Sequence, residues 1–311
     1  MRPPIEQLAD LGPNADISAL SASGAQKYVD ALTAGSDENF HVLSRFVPEA
    51  VRPDFAAVYA FCRWSDDLAD EAPRDQAPEL LRWWRRELEA CFADPSEARH
   101  PVFAALRQTA DRHRLPIDPF SHLLDAFDQD QRVARYETWD QLLGYCQRSA
   151  DPVGRIVLML AGHRPSSEDP ASAELEEWSD SICTGLQLVN FWQDVRRDLV
   201  ERDRVYFPSE EAGIDAETLR DWMARPKDPE ARVPYIRALR ALLHKTMPMF
   251  DAAEPLIARI NPDFRRAVWL FAAGGRAIGT KIDRSGCPTL WRRPKLTKLE
   301  KGSLLLRASM K

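Results

Sequence analysis

Gln187-Leu188-Val189-Asn190-Phe191-Trp192-Gln193-Asp194-Val195-Arg196-Arg197-Asp198-Leu199-Val200-Glu201 decides the fold of this chain. No Gly or Pro interrupts it, and the next Pro is Pro208, so it reads as one helix to about Glu201. Gln187, Asn190, Asp194 and Asp198 fall at i, i+3, i+7 and i+11, a single stripe. Beside it runs an apolar stripe of Leu188, Trp192, Val195 and Leu199, with Val189 and Phe191 filling in. Oxygen-bearing side chains flanked by apolar ones suit a helix whose polar face looks into an enclosed cavity. Two carboxylates one turn apart, with an amide oxygen, are hard ligands of the kind Mg²⁺ takes. The alternative is a solvated Asp-Arg-Asp face.

The same pattern occurs once earlier. Asp54 to about Glu71 is apolar on most sides, through Phe55, Ala56, Ala57, Val58, Ala60, Phe61 and Trp64. Such a helix is buried. It nevertheless carries Tyr59, Arg63, Asp66 and Asp70 at i, i+4, i+7 and i+11, with Asp67 alongside. Carboxylates buried without counter-charge cost several kcal/mol each, and a cation cluster with one Arg would supply that charge. A helix end in solvent is the other reading of Asp66-Asp67 and Asp70. Two such stripes on apolar helices favour a site.

Around these helices the 311 residues read as helical almost throughout. Hydrophobic residues are 44%, enough for a sizeable core, and Gly is scarce at 13. No strand-period alternation and no fixed repeat is found. Residues 1–22, rich in Pro, Ala and Ser, read as a loose segment, and 23–311 as a single domain. Pro152 should kink the helix running from Trp139 to Gly162, and Gly154 should admit another backbone or a ligand.

A net charge of −6 argues against a nucleic-acid binder. Residues 276–311 carry ten Lys/Arg against two Asp/Glu. That basic tail, with Leu304-Leu305-Leu306, suggests either peripheral contact with an anionic membrane or a solvated tail. Five separated Cys form no Cys-x-x-Cys, so they read as core thiols of a reduced, cytoplasmic protein. No run of about 18 apolar residues exists, and Met1-Arg2-Pro3-Pro4-Ile5 lacks the apolar region of a signal peptide.

Tyr59-Ala60-Phe61-Cys62-Arg63-x-x-Asp66-Asp67-x-x-Asp70 resembles the first aspartate-rich motif of the squalene and phytoene synthases. Gln187-x-x-Asn190-x-x-x-Asp194-x-x-x-Asp198, then Arg204-x-Tyr206-x-Pro208, resembles their second. Tyr145-Cys146-x-x-Ser149-Ala150-x-x-Val153-Gly154 is similar to the intervening segment, and Gly274-Gly275 to the late helix. Glu38-Asn39-Phe40, Ser149 to Arg155 and Asn190-Phe191-Trp192-Gln193-Asp194 look most like the bacterial hydroxysqualene synthase branch. The chain departs from the family at Gln193, where an Arg is usual, at Asp203, where a Gly is usual, and at Ser36 to Asn39.

The resemblance implies an all-α isoprenoid-synthase helical bundle around a central active-site cavity. It implies Asp66, Asp70, Asn190 and Asp194 as Mg²⁺ ligands, with Asp67 and Asp198 supporting. Arg63, Gln187, Arg204 and Tyr206 would contact diphosphate, and Tyr59 and Gln193 would line the same space. Phe40 is the first candidate to face a carbocation. Asp66, Asp70, Asp194, Asp198 and Tyr59 form the implied catalytic set. The implied reaction is Mg²⁺-dependent ionisation of presqualene diphosphate with capture of water, the amides Gln187, Asn190 and Gln193 being able to hold that water. A downstream squalene-forming enzyme would then remove the hydroxyl. Two alternatives stand: head-to-head condensation of two prenyl diphosphates to presqualene diphosphate, squalene or phytoene, and a non-catalytic assembly-factor relative. Such relatives tend to lose motif carboxylates, and this chain keeps them.

Overall fold

The computed structural model describes residues 1–17, 21–34, 46–94, 99–164 and 169–310. They fall into two compact units, residues 1–132 with 155–164, and residues 133–154 with 165–311. The span 23–311, read above as one domain, is divided between them.

In the first unit α1 (Ala22–Ala34), α2 (Arg52–Asp70), α3 (Ala77–Ala93), α4 (Pro101–His113) and α5 (Asp118–Asp130) follow in order. Each of α2 to α5 has Pro in its first turn, where the missing N–H costs nothing and the fixed φ suits the helix. Helix α2 is the hub and packs against the other four. Phe61, Trp64 and Leu68 are fully buried along it. Burial of each such side chain contributes about 1.5–3 kcal/mol.

Polar ties fix the register of α2. Ser65 Oγ donates to the Phe61 carbonyl at 2.8 Å and accepts the Trp84 indole N–H at 3.0 Å. At the other end buried Asp54 accepts from Thr109 (3.0 Å) and Arg112 (2.7 Å) and meets His113 Nε2 at 2.9 Å, clamping α2 to the end of α4. Residues 1–22 were expected to be loose, but Pro4–Gln7 forms a 3₁₀ turn and Leu8–Leu11 a helical turn. The reason is Gln7, which is buried, donates to the Arg2 carbonyl and accepts from Tyr28.

In the second unit β1 (Arg135–Tyr136) leads into α6 (Trp139–Ser149), opened by a Thr138/Gln141 capping box. The chain then breaks at Ala150, and Pro152 sits in the first turn of α7 (Asp151–Leu160), whose residues from Arg155 on belong to the first unit. The expected kink is thus a full break, because a Pro is tolerated at a helix start and not within one. Next come α8 (Pro170–Arg197), a π-helical turn at Asp198–Arg202, β2 (Val205–Pro208), α9 (Ala216–Ala224), α10 (Pro229–Thr246), α11 (Ala253–Arg259), α12 (Arg265–Arg284) and α13 (Lys298–Ser309). Strands β1 and β2 pair in parallel, Arg135 opposite Val205, a ladder absent from the sequence expectation because two to four residues show no period.

Helix α8 is held closely on two sides. A Cβ at Gly154 would lie 2.4 Å from Ser179 Oγ and 2.6 Å from Cys183 Sγ, so the close approach expected there is to α8 itself. A Cβ at Gly275 of α12 would meet Leu186 and Phe250 at 2.6 and 2.7 Å. Trp192, fully buried, donates its indole N–H to Thr246 of α10 at 2.9 Å.

His100 lies buried in the first unit among Trp64, Trp83, Trp84 and Phe103. Its Nδ1 accepts the Val102 N–H, which leaves the proton of the neutral ring on Nε2, where no hydrogen-bond acceptor meets it. Burial lowers its pKa from 6.5 to about 3. The unfolded chain therefore takes up this proton first, and the stabilisation present above about pH 6.5 is lost as pH falls towards 3. His100→Phe should narrow the gap in Tm to the wild type steadily between pH 7 and pH 4, as measured by thermal melts. A gap that does not change with pH would show that this imidazole does not drive the acid limb.

Candidate active site

Helix α2 presents Tyr59, Arg63, Asp66 and Asp70 as a half-buried stripe on an otherwise buried helix. Asp67 behaves differently. It is closed from solvent and its carboxylate lies 2.8 Å from the Arg63 guanidinium one turn back. Burial pushes the Asp67 carboxyl up to about 6, with Arg63 and the Ile5 backbone pulling the other way. Asp67 thus fixes Arg63 and the N-terminal turn, while Asp66 and Asp70 keep access to solvent.

On α8 the second stripe grades from open to buried. Asn190 is exposed, Gln187 is half-buried, and Asp194 and Asp198 are 4% and 8% exposed. Asp194 is held by Arg293 through a two-pronged pair: Nε reaches Oδ1, and Nη2 lies 3.0 Å from Oδ2. Arg197 Nη1 stands 3.9 Å from the same carboxylate. Burial raises the Asp198 carboxyl to about 7, the neighbouring Asp194 adds to the rise, and Arg202, Arg197 and Arg204 oppose it. Asp198 opens the π turn, and its carbonyl accepts the N–H of Asp203 and, at 2.9 Å, that of Arg204. Single π turns are frequent at functional sites.

That turn aims the following residues. Asp203 takes the left-handed conformation at φ 54°, which Asp tolerates better than most non-Gly residues, and this explains why a Gly is usual there. Its carboxylate is tied to Arg135 at 2.6 Å and to Arg220. Arg204 and Tyr206 follow, both buried. The Tyr206 ring stacks on Phe191 at 3.7 Å and on Tyr136 at 5.6 Å, with Tyr145 6.0 Å from Phe191. The second unit therefore places a carboxylate pair, a buried Arg and a bank of four aromatic rings together.

Sequence reading placed Gln193 among the residues lining diphosphate or holding water. The structure uses its amide elsewhere: Nε2 donates to the Pro294 carbonyl at 2.6 Å and Oε1 accepts from Arg293 at 3.2 Å. Arg293 was missed, because Trp291-Arg292-Arg293-Pro294 read only as part of a basic tail. Phe40 lies outside the described residues.

The donors fit a hard divalent cation. Asp66 with Asp70 on α2, and Asn190 with Asp194 on α8 and Asp198 just after it, carry side-chain oxygens spaced by one turn, the donor type that such a cation takes. Burial, and then the neighbouring Asp194, raises the Asp198 carboxyl. Among the described residues no three His, Cys, Asp or Glu side chains are grouped closely enough to hold a metal ion. All five Cys are free thiols, and burial pushes Cys62, Cys91 and Cys183 up to about 12, which leaves them protonated and inert.

A family model for squalene/phytoene synthase matches residues 33–300. The chain belongs to the squalene/phytoene synthase family. It is 31% identical over 229 residues to a hydroxysqualene synthase of Sinorhizobium fredii, covering 74% of this chain and 73% of that protein. It is 29% identical over 262 residues to a phytoene synthase of Arthrospira platensis, covering 82% of each. The crystal structure of squalene synthase HpnC from Alicyclobacillus acidocaldarius superposes with a TM-score of 0.70 at 35% identity, over 85% of this chain and 95% of that one. The all-α isoprenoid-synthase fold is therefore that of this family.

Asp198 gives the site a testable electrostatic signature. Its carboxyl is raised to about 7 in the folded state, above the unfolded value of 3.8, so metal-free stability falls as pH rises from about 4 through 7. Asp198→Asn should raise the Tm of EDTA-treated protein at pH 8 and change it little at pH 5. Equal effects at both pH values would mean that Asp198 is not strained by its charge.

Proposed function

We propose that this squalene/phytoene synthase relative ionises presqualene diphosphate and captures water, giving hydroxysqualene and diphosphate. The observation that carries the reading is the buried acidic pair Asp194/Asp198 beside buried Arg204 and the Tyr206–Phe191 ring stack. An oxygen-rich, partly uncompensated pair suits a metal–diphosphate head, and ring faces suit a cation that forms beside it. Likeness to the hydroxysqualene synthase of Sinorhizobium fredii supports the branch.

In this reading Asp66 and Asp70 are the first unit's candidates to hold Mg²⁺, and Asn190, Asp194 and Asp198 are the second unit's; each set would hold it through its oxygen donors. Mg²⁺, where bound, supplies Lewis-acid neutralisation of the leaving diphosphate. In the second unit Gln187, Arg204 and Tyr206 would orient the diphosphate; in the first unit Arg63 and Tyr59 are the candidates for that role. Diphosphate leaves with the electron pair of the C–O bond, and the aromatic rings stabilise the cation by cation–π attraction. Water stays out until the skeleton has rearranged. One water then adds through oxygen and loses a proton to give the alcohol.

A second element of the reading concerns the surface. Among the described residues no helix is long and apolar enough to cross a membrane. Helix α13 nonetheless exposes Leu299, Leu306 and Met310 at i, i+7 and i+11, one face, with Lys298 and Arg307 on its flanks. A groove of about 810 Å³ runs between α11, α12 and α13, lined by Trp269, Leu304, Arg276 and Arg284 together with the acids Asp251, Glu254 and Glu300. An apolar stripe with basic flanks is the pattern of a helix that lies on an anionic bilayer.

Purified protein with Mg²⁺ and presqualene diphosphate in ¹⁸O-water should give a thirty-carbon alcohol carrying the label, with no effect of NADPH. Asp66→Ala and Asp194→Ala should each reduce turnover by at least about a hundredfold, in line with loss of transition-state charge stabilisation, while circular dichroism stays unchanged. Squalene formed only with NADPH, or efficient phytoene formation from two prenyl diphosphates, would reject the branch.

For the surface, Leu299→Glu/Leu306→Glu should lower sedimentation with phosphatidylglycerol vesicles and leave turnover of detergent-dispersed substrate intact. Unchanged sedimentation would exclude α13 as the contact.

A further inference from the structure

The cation on Asp194 arrives from far along the chain. Arg293 stands 99 positions later, and its fork covers both carboxylate oxygens. It is fixed there from two directions. Gln193 Oε1 accepts from Arg293 Nη2 at 3.2 Å, and Gln193 Nε2 donates to the Pro294 carbonyl at 2.6 Å. One amide therefore holds the arginine by its side chain and by the backbone that follows it. Upstream, the Trp291 indole N–H donates to the Trp222 carbonyl at 3.0 Å, its ring meets Tyr235 edge-on at 5.1 Å, and the Arg232 guanidinium lies over it at 4.9 Å. Residues 291–294 form a strap pinned at both ends.

Gln is suited to this task in a way that its charged or apolar neighbours in size are not. An Arg or Lys at 193 has no acceptor for Arg293 and would repel it. A Leu offers neither contact. The amide supplies one acceptor and one donor in the same plane, and being 7% exposed it has little water to fall back on.

The Arg293 fork occupies one acceptor site on each Asp194 oxygen, and a cation approaching the same carboxylate meets both the occupied sites and the repulsion of the guanidinium. We propose that Gln193 is a positioning residue that holds Arg293 over Asp194, and that this guanidinium is exchanged for a divalent cation when the site loads. The exchange puts two positive charges where the guanidinium put one, and it leaves Arg293 free beside whatever anion accompanies the metal. This rests on the reading of Asp194 as a metal ligand.

Mn²⁺ binding to EDTA-treated full-length protein, followed by electron paramagnetic resonance of the free ion without any diphosphate, tests it. Arg293→Gln should bind Mn²⁺ about tenfold more tightly than wild type, the effect of removing one competing charge-assisted pair. Gln193→Leu should shift affinity the same way but less, and the double variant should bind no tighter than Arg293→Gln alone. Arg293→Lys, which keeps the charge but not the fork, should fall between wild type and Arg293→Gln, and it carries the test if Arg293→Gln does not fold. A residue with only a packing role would not tighten metal binding. Affinity equal to or weaker than wild type in Arg293→Gln, or multiplying effects in the double variant, would overturn the proposal while the metal reading stands. Mn²⁺ binding to none of the proteins would overturn both.

Discussion

A carboxylate out of water must find a positive charge, and the second unit is arranged around how Asp194 finds one. Leaving it unpaired would cost several kcal/mol, comparable with a large part of a domain's net stability. No residue within one turn answers it closely: Arg197, three positions on, stays 3.9 Å away and is half exposed. The charge is brought by Arg293, and that demand explains why the strap from Trp291 to Pro294 is pinned so firmly. A long-range ion pair of this kind ties the late strap to the last turn of α8.

Helix α8 must then be rigid where the pair forms and adjustable just beyond it. Rigidity comes from close approach at Gly154 and Gly275, where any side chain would collide with α8 or its neighbours, and from the buried Trp192–Thr246 bond. Adjustment comes from the π turn at Asp198–Arg202, which adds a residue to the turn and carries the chain through left-handed Asp203 into β2. The β1–β2 pair and the Arg135–Asp203 contacts hold that corner. The result sets Arg204 and Tyr206 beside Asp198 and Phe191 without a long loop.

Much of this was legible in the sequence, and the limits have physical causes. The helical span of α2 and α8 and the one-turn spacing of their polar stripes follow from local periodicity, which a sequence displays directly. Asp67 could not be sorted from Asp66 and Asp70 by spacing alone, since its fate depends on the turn at Pro4–Gln7 packing over it. Gln193 was read as facing substrate because its partners, Arg293 and Pro294, lie about a hundred positions away. The π turn left no trace either, because Asp198 to Arg202 has ordinary helix-forming composition.

The two stripes solve the same problem by different means, and the difference has consequences. On α2 the buried acid, Asp67, is answered by Arg63 one turn back on the same helix, so that pair persists as long as the helix does. Its neighbours Asp66 and Asp70 stay half-buried. On α8 the buried acid is itself one of the implied ligands, and its counter-charge belongs to a separate segment. A pair within one helix cannot be undone without unwinding it. A pair between α8 and a strap can be undone by moving one side chain whose guanidinium is already partly in water. Where a buried carboxylate must change partners without disturbing the fold, a partner from outside its own helix is the arrangement that allows it.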